Sequence, residues 1–153
     1  MNSYYDEISS GYNELHKEEQ LKKVRIIIKE LGITNEKVLD VGCGTAFYAE
    51  LFENYTGLDS SKGMLEKAKA NVILGNAENL PFKDKSFDVV ISVTALHNVK
   101  DFKKAIKEME RVSKGKIAIS VLKKSKNFDW IKEELKNYKK IEEEKDIIFI
   151  NQT

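Results

Sequence analysis

The stretch Val38-Leu39-Asp40-Val41-Gly42-Cys43-Gly44-Thr45 holds the residues whose types and spacing point most directly to chemistry. A short apolar run ends in a glycine turn and passes into a segment of helical character. Where such units feed a sheet, ligands bind outside the carboxyl ends of the strands. Gly42 and Gly44 let the backbone approach a ligand closely. The dinucleotide fingerprint needs a further glycine, but that position holds Phe47, whose ring disfavours a pyrophosphate on the helix start. Asp40, just before the turn, opposes a diphosphate and favours an ammonium or a sulfonium charge.

Two later positions extend the pattern. Asp59 closes the next apolar run, where an acid can accept hydrogen bonds from both hydroxyls of a ribose. Asn76 and Ala77 follow a third run and offer a side-chain amide and a backbone N–H to an adenine edge. Together these groups outline an adenosine with a cationic, amino-acid-like tail. That describes S-adenosylmethionine better than NAD, and the Tyr-x-x-x-Lys pair of many NAD oxidoreductases is missing.

Alternating elements must position these residues. Glu14 to Leu31 reads as a helix, with Leu21, Val24, Ile27, Ile28 and Leu31 at helical spacing and Gly32 as its stop. Lys37 to Val41 is a buried strand, Thr45 to Asn54 a helix, and Tyr55 to Asp59 a strand. Ser60 or Ser61 caps a helix reaching Ala70. Asn71 to Gly75 is a short strand and Ser86 to Val93 an apolar one. Asp101 to Ser113 is an amphipathic helix with Phe102, Ala105, Ile106 and Met109 on one side. Lys116 to Leu122 is a strand and Phe128 to Tyr138 a helix. Lys139 to Gln152 divides into two strands around a turn near Lys145-Asp146. The alternation predicts a mostly parallel α/β sheet with helices on both faces. The short final connection permits only a hairpin, so one strand at or near an edge is reversed.

Length and composition bound the rest. A chain of 153 residues fits one domain, 1–153. With 41% hydrophobic and 33% charged residues it is globular rather than disordered. Lys+Arg of 26 against Asp+Glu of 25 does not advertise nucleic-acid binding. The lysine excess over arginine matches either a hyperthermophile composition or an AT-rich genome. The single cysteine, Cys43, excludes an internal disulfide and a cysteine metal cluster. With no export signal core in residues 1–6 and no apolar run near the roughly 20 residues of a membrane span, a cytoplasmic protein without a membrane partner is expected.

The blocks VLDVGCGTAFYAELF, YTGLDSSKGMLEKAKA and GNAENLPFKDKSFDVVISVTALHNV, in this order, resemble a class I S-adenosylmethionine-dependent methyltransferase of the ubiquinone/menaquinone methyltransferase group. The leading YYDEISSGYNELH is similar to that group's tyrosine-containing first segment. The resemblance implies a Rossmann-like seven-stranded sheet of order 3-2-1-4-5-7-6 with strand 7 antiparallel. It implies S-adenosylmethionine as cofactor, S-adenosylhomocysteine as product, and no metal. Asp40, Gly42 and Gly44 would surround the methionine end, Asp59 would hold the ribose, and Met64 would pack on adenine. Asn76, accepting through its oxygen where many relatives carry an acid, and Ala77 would bind the adenine edge. Ser92 and Val93 would lie near the methionine carboxylate and the methyl. Tyr12 would close over the cofactor from the segment 1–20.

Blander readings accompany several of these. Met64 also suits a core and Asp59 a helix cap; Cys43 suits a small buried filler. His97, after the fourth strand, suits a substrate-shaping role more than a base. The lysines at 103/104/107, 114/116 and 123/124/126 read as solvated surface, although the last two groups flank the fifth strand and leave RNA open as a partner. Ser92-Val93-Thr94-Ala95 is not the N/D-P-P-Y box of amine and amide methylation. Cys43 is misplaced as a nucleophile for C5-cytosine chemistry, and nothing has metal-ligand spacing.

The expected function is methyl transfer to an unidentified acceptor: tRNA, protein or a small molecule. The alternative is a cofactor-binding scaffold or a subunit of a methyltransferase complex. The fold occupies nearly the whole chain and leaves only residues 1–20 and short loops to wall an acceptor site. That favours a large substrate or a completing partner: a small activator protein adding along Asn71-Val72-Ile73-Leu74, or a homodimer.

Overall fold

The computed structural model describes the backbone of residues 3–153 and the side chains of residues 14–153. Helix α1 (Ser3–Leu31) precedes β1 (Lys37–Val41), β2 (Asn54–Asp59), α2 (Lys62–Glu66), β3 (Val72–Leu74) and β4 (Phe87–Val93). Then come α3 (Phe102–Val112), β5 (Ser113–Leu122), α4 (Phe128–Glu134), β6 (Lys139–Glu142) and β7 (Asp146–Gln152). The sheet order is β3-β2-β1-β4-β5-β7-β6. Pairing is parallel from β3 to β5, and β7 runs antiparallel to both β5 and β6. Order and reversed strand are those that the resemblance implies.

The central strands are buried on both faces and so read as continuous apolar runs. Strand alternation sends their side chains to two cores. Leu39, Val41, Val90, Ile117, Ile119, Ile147 and Phe149 pack with α3 and α4 on one face. Val38, Val89, Ile91, Ala118, Ile148 and Ile150 pack with Val24, Ile27 and Leu31 of α1 on the other. Asp101 caps α3 by accepting from the Lys104 N–H at 3.1 Å. Arg111 of α3 ties down the loop before β4, donating to the Leu80 and Phe82 carbonyls at 3.1 and 2.8 Å.

Three expected helices differ. Thr45 to Asn54 is not a helix; only Ala49–Leu51 makes one 3-10 turn. A parallel crossover takes about a dozen residues or more, and the glycine turn uses up much of this short connection before a helix can start. The helix expected to reach Ala70 stops at Glu66, since none of its residues is buried and a short helix without packing does not propagate. α4 ends at Glu134 rather than Tyr138, although Leu135 and Tyr138 still reach the core. By contrast, α1 begins well before Glu14.

Phe149 is 0% exposed and Trp130 is 68% exposed. In urea titrations Phe149→Ala should cost about 3–5 kcal/mol, and Trp130→Ala should stay within about 0.5 kcal/mol.

Candidate active site

The parallel strands end together along one side of the sheet, and a cleft of about 1770 Å³ runs over those ends. A single small-molecule site occupies about 300–1,000 Å³, so this cleft has room for two ligands side by side. Its floor begins with the turn after β1. Gly42 and Gly44 adopt φ of +82° and +57°, and Ala46 follows at 53°. The Gly42 and Cys43 N–H groups donate to the Leu58 carbonyl at 2.7 and 3.0 Å. The Gly44 N–H donates to Asp59 Oδ2 at 2.8 Å, and the Ser61 N–H donates to Asp59 Oδ1 at 2.9 Å. A Cβ on Gly42 would stand 2.5 Å from the Ala95 Cβ, whereas one on Gly44 would meet nothing within 4 Å. Gly42 therefore serves packing, and Gly44 leaves open space beside the cleft.

Asp59, Met64, Asn76, Ala77 and Ser92 line the same cleft as Gly42 and Gly44. Met64 is 45% exposed there, outside either core. Two of these residues also make hydrogen bonds within the protein. Asn76 Oδ1 accepts from the Glu78 N–H at 2.9 Å, which leaves a second lone pair on that oxygen and both amide N–H groups to present. The Ser92 hydroxyl donates to the Val41 carbonyl at 2.9 Å and joins β4 to β1, so its proton is committed. The Tyr12 side chain lies outside the described residues. From the segment 1–20, Leu15, His16, Lys17, Glu19 and Gln20 line the cleft.

Asp40 lies inside the protein. It is absent from the cleft wall and 0% exposed, one layer behind the turn. The Tyr48 and Tyr55 hydroxyls both donate to its Oδ2, at 2.7 and 2.6 Å, while Oδ1 has no hydrogen-bond partner. Strand alternation causes this: Val41 faces one core, and Asp40 faces the other with Val38. Burial pushes its carboxyl up to about 6, against the two tyrosine hydrogen bonds, which lower it. Burial likewise pushes the Cys43 thiol up to about 12, which leaves it a buried filler rather than a nucleophile.

Several residues of the cleft escaped the sequence reading. Gln20 and Lys23 are 7% exposed each and Asp146 is 3% exposed. All three meet Thr94, just after β4, and Thr94 bonds in turn to Ser120 of β5. A local signal existed only in α1, where Gln20 and Lys23 fall on the stripe that continues into Val24, Ile27 and Leu31. The His97 Nδ1 is buried with no hydrogen-bond partner, and His97 lines the cleft. Among the described residues, no group of His, Cys, Asp and Glu side chains is placed to hold a metal ion. Among them also, no helix is long and apolar enough to cross a membrane.

A family model described as a methyltransferase domain matches residues 39–119, more than half of the chain. The chain belongs to the methyltransferase-domain family. An uncharacterized protein of Methanocaldococcus jannaschii is 40% identical over 147 residues, 90% of this chain and 58% of that protein. The demethylmenaquinone methyltransferase of Thermotoga maritima is 37% identical over 64% of this chain and 48% of its own length. The chain thus spans about half the length of the curated relatives it matches. A putative S-adenosyl-L-methionine-dependent methyltransferase of Methanococcus maripaludis shares the fold at TM-score 0.77 and 19% identity, covering 99% of this chain and 91% of that one. A putative methyltransferase of Haloferax volcanii, in complex with a Trm112 methyltransferase activator, shares it at TM-score 0.74 and 14% identity, with 94% of each chain covered.

Asp40 gives this methyltransferase domain a measurable pH signature. A folded-state value near 6 lies above the unfolded value of about 3.9, so the folded form holds the proton more tightly. Stability from this group is full below about pH 4 and is lost as pH rises through about 6, by up to about 3 kcal/mol. Glu36, Asp88 and Glu108, held low by their partners, slope the other way at lower pH and are common to wild type and variant. Urea titrations should therefore show wild type losing stability relative to Asp40→Asn between about pH 4 and pH 6.

Proposed function

We propose that this chain is an S-adenosylmethionine-dependent methyltransferase and that the cofactor lies across the ends of β3, β2, β1 and β4. The observation that carries the reading is the tie between Asp59 and the Gly44 N–H beside the open space at Gly44. It sets a carboxylate at the mouth of β2 and keeps the turn free of side chains. The donor set fits the cofactor. Each Asp59 oxygen keeps a lone pair beyond its backbone N–H and can accept a ribose hydroxyl. The Asn76 amide N–H groups and the Ala77 N–H suit adenine ring nitrogens, and Met64 gives the ring an apolar face. Gly42, Gly44 and Ser92 form the wall beside the methionine end. Asp40 acts from behind the turn by holding Tyr48 and Tyr55, which back the loop.

When bound, S-adenosylmethionine supplies an electrophilic methyl on a positive sulfur. The chain's own residues align the acceptor with that methyl and exclude water, and alignment alone can supply about 7–11 kcal/mol of rate enhancement. The acceptor occupies the part of the cleft beyond β4. The one cysteine, a buried thiol, suits a reducing cytoplasm.

A partner reading follows from β3. This outer strand presents Leu74 at 57% exposure, and an uncovered edge strand accepts an added strand. The Haloferax volcanii likeness, with its activator, favours a small protein in that place.

Calorimetric titration should show micromolar binding of S-adenosylmethionine and S-adenosylhomocysteine and none of NAD. Asp59→Ala should weaken both by about 10–100-fold, the cost of losing hydrogen bonds to a charged acceptor. Gly44→Ala should cost only about 1–2 kcal/mol of stability yet remove binding. Gly42→Ala should destabilise more, because Ala95 must move. Tight NAD binding, or unchanged affinity in Asp59→Ala, would overturn the reading.

A further inference from the structure

Charge is unevenly spread along the chain. Residues 100–138 hold 12 Lys and Arg against 6 Asp and Glu, while the whole chain carries a net charge of only +1. Cations gathered in one region suit an anionic partner even where the total is near zero. This region contains α3, β5 and α4. Its exposed parts are the two helices and the connection 123–127 that joins β5 to α4.

The two helices present adjoining faces. Lys103 and Lys107 stand one turn apart on α3, away from the buried Ala105 and Met109. Trp130 and Glu134 stand one turn apart on α4, and Glu134 Oε1 lies 3.6 Å from Lys103 Nζ. Trp130 therefore shares a surface with the lysine stripe of α3.

Some of the cations here are already compensated. Lys123 lies 2.7 Å from Glu142, Lys136 lies 3.3 Å from Glu133, and Lys132 rests 6.0 Å from the Phe128 ring centroid. Among the described residues no carboxylate lies within ion-pairing distance of Lys107, Lys124 or Lys126. All three are exposed. The acids near them are Asp129, beside Trp130, and Glu110, which receives the Tyr138 hydroxyl at 2.9 Å. The connection that carries Lys124 and Lys126 is pinned: the Ser125 hydroxyl donates to the Leu122 carbonyl at 2.7 Å, and the Phe128 N–H donates to the Ser125 carbonyl at 3.2 Å.

Trp130 contributes nothing to the core. It is 68% exposed, while Ile131 and Leu135 seat α4 at 0% exposure. Tryptophan is highly buried on average, so a ring standing out beside uncompensated lysines suits a ligand with both a flat face and negative charge. A membrane surface asks for an apolar helix face of several side chains, and Trp130 stands among charged ones. A duplex offers phosphates but keeps its bases stacked. A single strand of RNA offers phosphates and an unstacked base together.

We propose that the α3–α4 face docks single-stranded RNA, with Trp130 stacked on one base and Lys107, Lys124 and Lys126 on neighbouring phosphates. The surface lies outside the cofactor site and stands independently of the methyltransferase reading. Its 123–127 edge begins at Leu122, which lines the cleft, so a bound strand leads toward the cleft mouth.

Trp130 is the single tryptophan of the chain, so tryptophan fluorescence reports on this face alone. The probe is a single-stranded RNA of about 12 uridylates, added to the full chain; uridylate avoids the adenosine side of the cleft. Stacking should quench the tryptophan. Affinity should fall with salt at a log–log slope of about −2, or about −0.7 for each phosphate held. Anisotropy of the labelled RNA should show Trp130→Ala binding about 5–150-fold more weakly and Trp130→Phe regaining most of the loss. Lys124→Gln and Lys126→Gln should each flatten the salt slope by about 0.7. The absence of quenching by RNA, equal affinity in Trp130→Ala, or a fluorescence response to vesicles of anionic lipid in place of RNA overturns the proposal. S-adenosylhomocysteine affinity, measured alongside, should be alike in wild type and in every variant; a loss in Trp130→Ala shows a disturbed fold rather than a lost stacking partner and overturns it as well.

Discussion

At the end of β1 the chain has to turn across the mouth of the sheet without filling it. That turn holds its shape because the Gly44 N–H donates to Asp59 and the Gly42 and Cys43 N–H groups donate to the Leu58 carbonyl. Each of these donors would otherwise be an unpaired backbone group close to the core. Satisfying them on β2 fixes two features together: the backbone approaches the ligand space, and the Asp59 carboxylate is aimed along it. Ala95, seated against Gly42, then fixes where the chain leaves β4.

The two halves of the cleft follow from one topological fact. β1 lies at the reversal of strand order, with β2 and β3 on one side and β4, β5 and β7 on the other. The loops after neighbouring strands diverge at such a point and open a crevice. Asp59, Met64 and Asn76 fall on one side by necessity, and Thr94, Leu122 and Asp146 on the other. The reversed β7 is what brings its first residue, rather than its last, to the functional end. A parallel strand in that place would have put Gln152 there and Asp146 at the far side.

Charge is treated oppositely in the two places where the fold buries it near the cleft. Asp40 stands without a cation; its hydrogen bonds from Tyr48 and Tyr55 do not offset burial, and its carboxyl rises to about 6. Asp146 is paired with Lys23, and such a pair keeps its charges only while both partners remain. The first arrangement backs a loop, and the second keeps a cation and a carboxylate in contact beside an open space.

The sequence by itself determined the class of sheet, its reversed strand and most of the residues that line the β2–β3 side of the cleft. Those depend on local signals: apolar runs, glycine at positive φ, an acid at a strand end and a short final connection. Resemblance added the strand order and the family. Tertiary structure alone decided what no local pattern encodes. The helix expected after the glycine turn was lost because the connection is too short for it. Asp40 turned away from the cleft because of the face it occupies on β1, and it met Tyr48 and Tyr55 only once β2 lay alongside. Asn76 put one lone pair of its oxygen into its own turn. Lys23, Thr94 and Asp146 come from distant parts of the chain; Lys23 falls on the buried stripe of α1, but Thr94 and Asp146 read alone as ordinary turn residues. Their contact exists only because α1 crosses the ends of β4 and β7, and sequence spacing carries no record of such a crossing.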